Sequence, residues 1–141
     1  MTDRVLIVPT SSWTRPHQLA AAVAAAAGPD AIVRVLIPAV LPPTLPITAC
    51  PPRVGARLDA QREAAASALC GRGRGSVVIA PARSVAALLA VAPPPDRLVL
   101  VGGAGWSLRR AARGLAGGGV TILPAGAGRA RTPQPRPAAR T

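Results

Sequence analysis

A glycine-rich turn after an apolar segment has the clearest chemical potential in this 141-residue chain. Gly102, Gly103 and Gly105 follow the run Leu-Val-Leu-Val, and Arg109 comes four residues after the last of them. Glycines at such a turn let backbone N–H groups approach a ligand closely, and the dipole of a following helix favours negative charge. The guanidinium of Arg109, or of Arg110 beside it, adds charge-assisted hydrogen bonds. The spacing therefore predicts a site for a phosphate or a carboxylate.

A second group of polar residues follows the first apolar segment of the chain. Thr10, Ser11 and Ser12 come directly after Pro9 and offer three hydroxyl groups. In an open parallel sheet, ligands bind outside the carboxyl ends of the strands, at the point where the strand order reverses. We therefore expect these hydroxyls and the glycine turn to frame one crevice. An alternative stays open for the glycines, because Gly-x-x-Gly matches neither the dinucleotide fingerprint nor the P-loop and also suits a plain strand-to-helix turn.

Catalytic groups are sparse. His17 is the only histidine and lies near the two serines, so a Ser-His pair is conceivable, but no carboxylate is placed to orient it. All five acidic residues fall at predicted strand starts or on a solvated helix. Asp59 and Glu63 are the only neighbouring pair, too few for a metal cage. The sequence predicts a protein that is not an enzyme and has no metal site or obligatory cofactor.

Five short apolar runs alternate with four helical segments. The predicted strands are 4–8, 31–37, 76–80, 97–101 and 120–123, and the predicted helices are 16–27, 54–70, 84–91 and 107–115. Because each crossover must be right-handed, this alternation predicts an α/β domain with a doubly wound, five-stranded parallel sheet of order 3-2-1-4-5. Six prolines between residues 38 and 53 predict a long surface loop with no regular helix and little sheet pairing.

Charge and composition divide the chain into two parts. Residues 1–124 contain the apolar runs and predict one domain, whereas residues 125–141 contain no large apolar residue and predict a disordered basic tail. All 17 basic residues are arginine, and the net charge of +12 keeps binding to nucleic acid open as an alternative. Against it, the chain has no zinc-finger spacing and only two aromatic residues on which bases could stack.

The cysteines and the N-terminus indicate the cellular compartment. Cys50 and Cys70 match neither a CxxC pair nor a zinc-ligand set, which predicts two reduced thiols. No apolar run has the length of a signal peptide or a membrane span. We therefore expect a cytoplasmic protein that does not bind membranes.

The order of these elements resembles the universal stress protein family, especially its divergent actinobacterial members. The resemblance covers residues 3–124 and rests on segments 4–8, 96–102 and 120–124. It implies a Rossmann-like fold of the HUP, or adenine nucleotide alpha hydrolase-like, class, a role in stress response and a homodimer formed through the last strand. One branch of the family binds ATP through an Asp after the first strand and a Gly-x-x-Gly, nine residues, Gly-Ser/Thr signature after the fourth.

This chain departs from the ATP-binding signature. Pro9 and Thr10 stand where the Asp would fall, and only Gly102 and Gly105 match the glycine pattern, with no Gly-Ser or Gly-Thr at the required distance. The resemblance thus implies a domain that binds a protein partner or a nucleotide-like anion, with ATP or another adenine nucleotide as a weak ligand. The alternatives are an arginine-rich nucleic-acid binder and a nucleotide-dependent enzyme of unknown reaction.

Overall fold

The computed structural model describes residues 3–41, 52–71, 74–117 and 119–124. Within these residues the strands are β1 (Asp3–Pro9), β2 (Ala31–Val40), β3 (Arg74–Ala82), β4 (Arg97–Gly102) and β5 (Val120–Pro124). The helices are α1 (Pro16–Ala26), α2 (Pro52–Leu69), α3 (Val85–Val91) and α4 (Trp106–Ala116). All strand pairs are parallel, in the order β3-β2-β1-β4-β5. The predicted fold class and strand order are confirmed.

The sheet is covered by helices on both faces, which explains why its central strand is continuously apolar. β1 lies between β2 and β4, with Ile7 in register with Val35 and Val99. Val5 and Ile7 pack into the cluster beneath α1 and α2, whereas Leu6 and Val8 pack beneath α3 and α4. Alternate residues of a strand point to opposite faces, so a strand buried on both sides must be apolar throughout.

β2 is longer than predicted, and the expectation that Pro38 ends it is wrong. The strand continues to Val40, and Pro38 is in register with Ala80 of β3. The pairing of β2 with β1 extends only to Val35. Beyond that point β2 has an open edge, where a missing N–H breaks no ladder. β3 is also longer than predicted at both ends, and it accommodates Pro81 because it is an edge strand.

The proline-rich loop is therefore shorter than predicted. Val40 still belongs to β2, the N–H of Leu41 donates to the carbonyl of Ala82 at 3.1 Å, and α2 already begins at Pro52, a favourable first helical position for proline. Residues 42–51, and with them Cys50, lie outside the described residues, as does the predicted tail 125–141. Cys70 is an exposed free thiol.

Candidate functional site

The structure brings together the turns that follow β1 and β4. The backbone N–H of Thr10 donates to the carbonyl oxygen of Val101 at 3.0 Å. The hydroxyls of Thr10 and Thr14 donate to the same oxygen, at 3.3 and 3.2 Å. The order β3-β2-β1-β4-β5 reverses direction between β1 and β4, so this contact lies at the switch point of the sheet.

Two of the three predicted glycines have conformations that other residues rarely adopt. The φ angles of Gly102 and Gly103 are +113° and +90°. A Cβ on Gly102 would lie 2.7 Å from Oγ1 of Thr14 and 2.9 Å from Oγ1 of Thr10. The N–H of Gly103 donates to Leu123 of β5 at 3.0 Å. Turn geometry therefore accounts for these two glycines, whereas Gly105 is exposed, with φ −74°, at the start of α4.

Two helices begin at this edge of the sheet with uncapped N-termini. The N-cap residues of α1 and α4 are Arg15 and Gly105, and neither provides a side-chain cap. Neither helix has an acidic residue in its first turn. The first N–H groups of a helix have no acceptor within it, and together with the dipole they create positive potential. The crevice between β1 and β4 is thus bordered by two positive helix ends.

The acidic residues are distributed so that this potential is not neutralised. Asp3, Asp30 and Asp96 lie at or just before the starts of strands, at the opposite edge of the sheet, and Asp59 and Glu63 lie on α2. No segment that follows a strand contains Asp or Glu, including residues 42–51 and 125–141 by sequence. The carboxyl edge of the sheet is therefore electropositive.

The remaining predicted site residues lie around the crevice with different exposures. Ser11 is exposed, and its Oγ accepts the N–H of Trp13 at 3.0 Å, whereas Ser12 is half-buried. Arg109 is exposed, and its Nε donates to the carbonyl of Ala104 at 2.9 Å, which holds the guanidinium across the turn. His17 is exposed in the first turn of α1.

Three buried polar residues that support the crevice were not predicted. Thr14 binds Val101 as described, and Gln18 Nε2 donates to the carbonyl of Pro124 at 3.1 Å. Gln61 is fully buried, and its Nε2 donates to the carbonyls of Ser11 and Thr14 at 3.0 and 2.9 Å. Its Oε1 is buried and has no hydrogen-bond partner among the described residues.

A sequence signal for Gln61 did exist. Leu58, Gln61, Ala65 and Leu69 form the buried stripe of α2, at helical spacing. A glutamine on such a stripe needs a buried hydrogen-bond partner, because an unpaired buried amide is costly. Here the amide fixes the turn after β1 from the neighbouring helix.

The outer rim of the site carries an aromatic residue and an arginine. The guanidinium of Arg57 lies 3.9 Å from the ring centroid of Trp13, whose side chain is exposed. This cation–π contact connects α2 to the turn after β1.

Metal sites and membrane-spanning helices are two further features that bear on function. No cluster of three or more His, Cys, Asp or Glu residues that could hold a metal is found among the described residues. Asp59 instead forms an exposed ion pair with Arg62 at 3.5 Å, as the predicted solvated helix face requires. None of the helices in these ranges is long and apolar enough to span a bilayer.

The chain was compared with known proteins. No protein-family model and no curated protein matches it. Among solved structures, a universal stress protein in complex with cAMP matches with a TM-score of 0.52 and 19% sequence identity, covering 89% of this chain and 99% of the other. At this identity the match establishes the architecture. The chain has the universal stress protein fold, which confirms the predicted resemblance at the level of the fold.

Proposed function

We propose that this chain is a small cytoplasmic domain that binds a nucleotide-like anion between the turns after β1 and β4. The observation that carries the proposal is the charge of this edge: two uncapped helix N-termini lie at the edge where no acidic residue follows any strand. Arg109, held across the second turn, adds a guanidinium. Phosphate groups bind well to such helix ends.

The structural match supports the class of ligand. The matched universal stress protein was solved with cAMP, a ligand with one phosphate and an adenine base. In this chain the ATP-binding signature is incomplete, with Pro9 and Thr10 in place of the acid. The proposed ligand is accordingly an adenine nucleotide or a related anion bound weakly, and no obligatory cofactor is proposed. A protein partner that presents a phosphate or a carboxylate would use the same groups.

Binding without turnover is part of the proposal. Its support is the arrangement of acid–base groups: the carboxylates lie at the amino edge or on the exposed face of α2, and His17 is exposed. A Ser-His mechanism needs a carboxylate that orients the imidazole. We therefore propose that the protein acts through its ligand-bound state and not through a reaction product, as expected for a stress-response regulator.

A homodimer through β5 is also proposed. β5 is an edge strand, paired only with β4. The carbonyls of Gly119 and Leu123 accept bonds from Leu98 and Gly103, on the β4 side. Because backbone groups alternate in direction along a parallel strand, those of Val120 and Ile122 point to the open edge, where a second copy could pair.

The nucleotide proposal is tested with cAMP, ATP and pyrophosphate as probes in thermal-shift and calorimetric titrations. At least one probe should raise the melting temperature with concentration, since a ligand that binds only the folded state stabilises it. Arg109→Gln should weaken binding about tenfold through loss of a charge-assisted contact. Arg113→Gln, one turn further along the exposed face of α4, is the matched control and should bind as the wild type does. Absence of binding by all three probes would overturn the proposal.

A second candidate function is favoured by the outer face of α4. Trp106 is 74% exposed, the guanidinium of Arg110 lies 5.5 Å from its ring centroid, and Arg109 and Arg113 are also exposed. Stacking surfaces flanked by arginines suit single-stranded nucleic acid. Affinity for an oligonucleotide would then fall steeply with salt and with removal of residues 125–141, whereas calorimetric binding of a mononucleotide in the crevice would survive that truncation.

A further inference from the structure

A cavity lies away from the crevice, toward the opposite edge of the sheet, and we infer that it binds an amphipathic carboxylate, with an apolar body and one anionic head group. The cavity has a volume of about 350 Å³. It is bounded by the first halves of β1 and β2, the end of α3 and residues 93–95. This inference is independent of the function proposed for the crevice, which lies at the carboxyl ends of the strands.

The cavity exists because α3 is too short to cover the sheet. α3 has seven residues, a length of about 10 Å, whereas the ten residues of β2 extend about 33 Å. Three consecutive prolines, residues 93–95, follow α3 and prevent its continuation. The start of β2 is consequently left uncovered on this face.

Most of the lining is apolar. The apolar residues include Leu6, Ile32, Leu36, Leu88, Val91 and Ala92. Val91 is the last residue of α3 and is 79% exposed, the highest value among the large apolar residues of the described chain. A ligand with an apolar body would remove this surface from water.

Two arginines on one face of the sheet supply the positive charge. Arg4 is in register with Ile32, and Leu6 with Arg34, so the arginines lie diagonally across neighbouring strands. Both line the cavity and both are exposed. Among the described residues neither forms an ion pair, whereas the nearby Arg97 binds Asp3 at 2.7 Å. Asp96 accepts the backbone N–H of Arg4 at 2.9 Å and forms no ion pair with its guanidinium.

The position of Arg34 strengthens the argument. It is the one exposed residue between Ala31 and Ala39 in β2, where every other residue is buried or half-buried. An arginine there interrupts an otherwise apolar strand on a face that a longer helix would have covered. Two unpaired guanidinium groups above an apolar floor complement a carboxylate on a hydrocarbon or aromatic body.

The C-terminal segment of the chain is a poor occupant of this cavity. Residues 125–141 contain four arginines and no acidic residue, so their charge has the same sign as that of Arg4 and Arg34. A neutral apolar ligand would fill the floor and leave both guanidinium groups without a partner. An acidic head group joined to an apolar body satisfies both parts of the lining.

Decanoate is the probe for this site, titrated by calorimetry below its micellar concentration. Wild-type protein should bind decanoate, and Arg34→Gln should weaken binding about tenfold, the loss expected for one charge-assisted hydrogen bond. Arg62→Gln, an exposed arginine of α2 outside the cavity, is the matched control and should bind as the wild type does. Decanol, with the same chain and no charge, should bind equally to wild type and Arg34→Gln.

A second variant tests the apolar wall. Val91 is largely exposed, so Val91→Asp should fold normally, and its carboxylate should repel the probe and weaken binding at least tenfold. Thermal melts of each variant establish that it is folded. Failure of the wild type to bind decanoate at millimolar concentration, or equal binding by wild type, Arg34→Gln and Val91→Asp, would overturn the inference. Titration with cAMP and the Arg109→Gln variant reports on the crevice separately.

Discussion

At the residue scale, Gly102 is the position where backbone conformation and close packing coincide. Its φ is +113°, and any Cβ would meet the hydroxyls of Thr10 and Thr14 at less than 3 Å. Both hydroxyls are held by hydrogen bonds to Val101, so neither moves without losing a bond. The turn after β4 thus depends on the absence of a side chain at this residue.

Gly102→Ala should therefore lower the free energy of unfolding by about 1–3 kcal/mol, the cost of a strained backbone conformation. Urea denaturation followed by circular dichroism measures the change. The matched control is Gly114→Ala in α4, where nothing lies within 4 Å of the added Cβ. Because alanine favours a helix more than glycine does, that control should stabilise the protein by about 0.5–1 kcal/mol. Equal effects of the two substitutions would contradict this account of the turn.

The individual residues also show how far sequence reasoning reaches into the site. Spacing alone predicts Thr10 and Gly102 as site residues, because a strand, a turn and a helix start are local patterns. Thr14 and Gln61 were missed since their partners lie 87 and 47 residues away along the chain. A polar residue on a buried stripe indicates that it has a hydrogen-bond partner. Only the packing of α2 against α1 identifies that partner.

At the scale of elements, the alternation of apolar runs and helices was sufficient to predict the sheet and its strand order. Several of the errors in the element bounds lie at prolines. The sequence predicts that Pro38 ends β2 after residue 37, yet the strand passes through Pro38 to Val40. The missing N–H of a proline costs a hydrogen bond only if a strand lies on the side to which that N–H would point. Topology, and not local sequence, determines which strand that is.

The start of α3 is defined by a serine cap. Ser84 is its N-cap, and Oγ accepts the N–H of Ala87 at 3.0 Å. Ser84→Ala should lower stability by about 1 kcal/mol, the usual cost of losing a serine cap. Ser107→Ala is the control, because Ser107 lies exposed inside the first turn of α4, and it should change stability by less than about 0.5 kcal/mol. Chemical denaturation of both variants provides the comparison, and a larger loss for Ser107→Ala would refute the assignment.

At the scale of the whole molecule, charge is arranged by sheet edge. Carboxylates lie at the amino edge, as Asp3, Asp30 and Asp96, while the segments after the strands carry none. The net charge of +12 by itself suggests only non-specific attraction to polyanions. The fold places the carboxylates away from the crevice between β1 and β4, and this arrangement favours a defined anion site there over diffuse binding.

The open edge of the sheet determines how two copies would assemble. In a two-fold pairing of β5 with itself, Thr121 of one copy would lie close to its equivalent, because the strand has only five residues. Thr121→Lys should therefore place like charges together and abolish the dimer, while leaving the exposed position compatible with folding. Light scattering after size-exclusion chromatography should give twice 14.1 kDa for wild type and for the control Thr121→Ser, and 14.1 kDa for Thr121→Lys. A wild-type protein that remains a monomer at tens of micromolar, or a lysine variant that remains a dimer, would rule out pairing through β5.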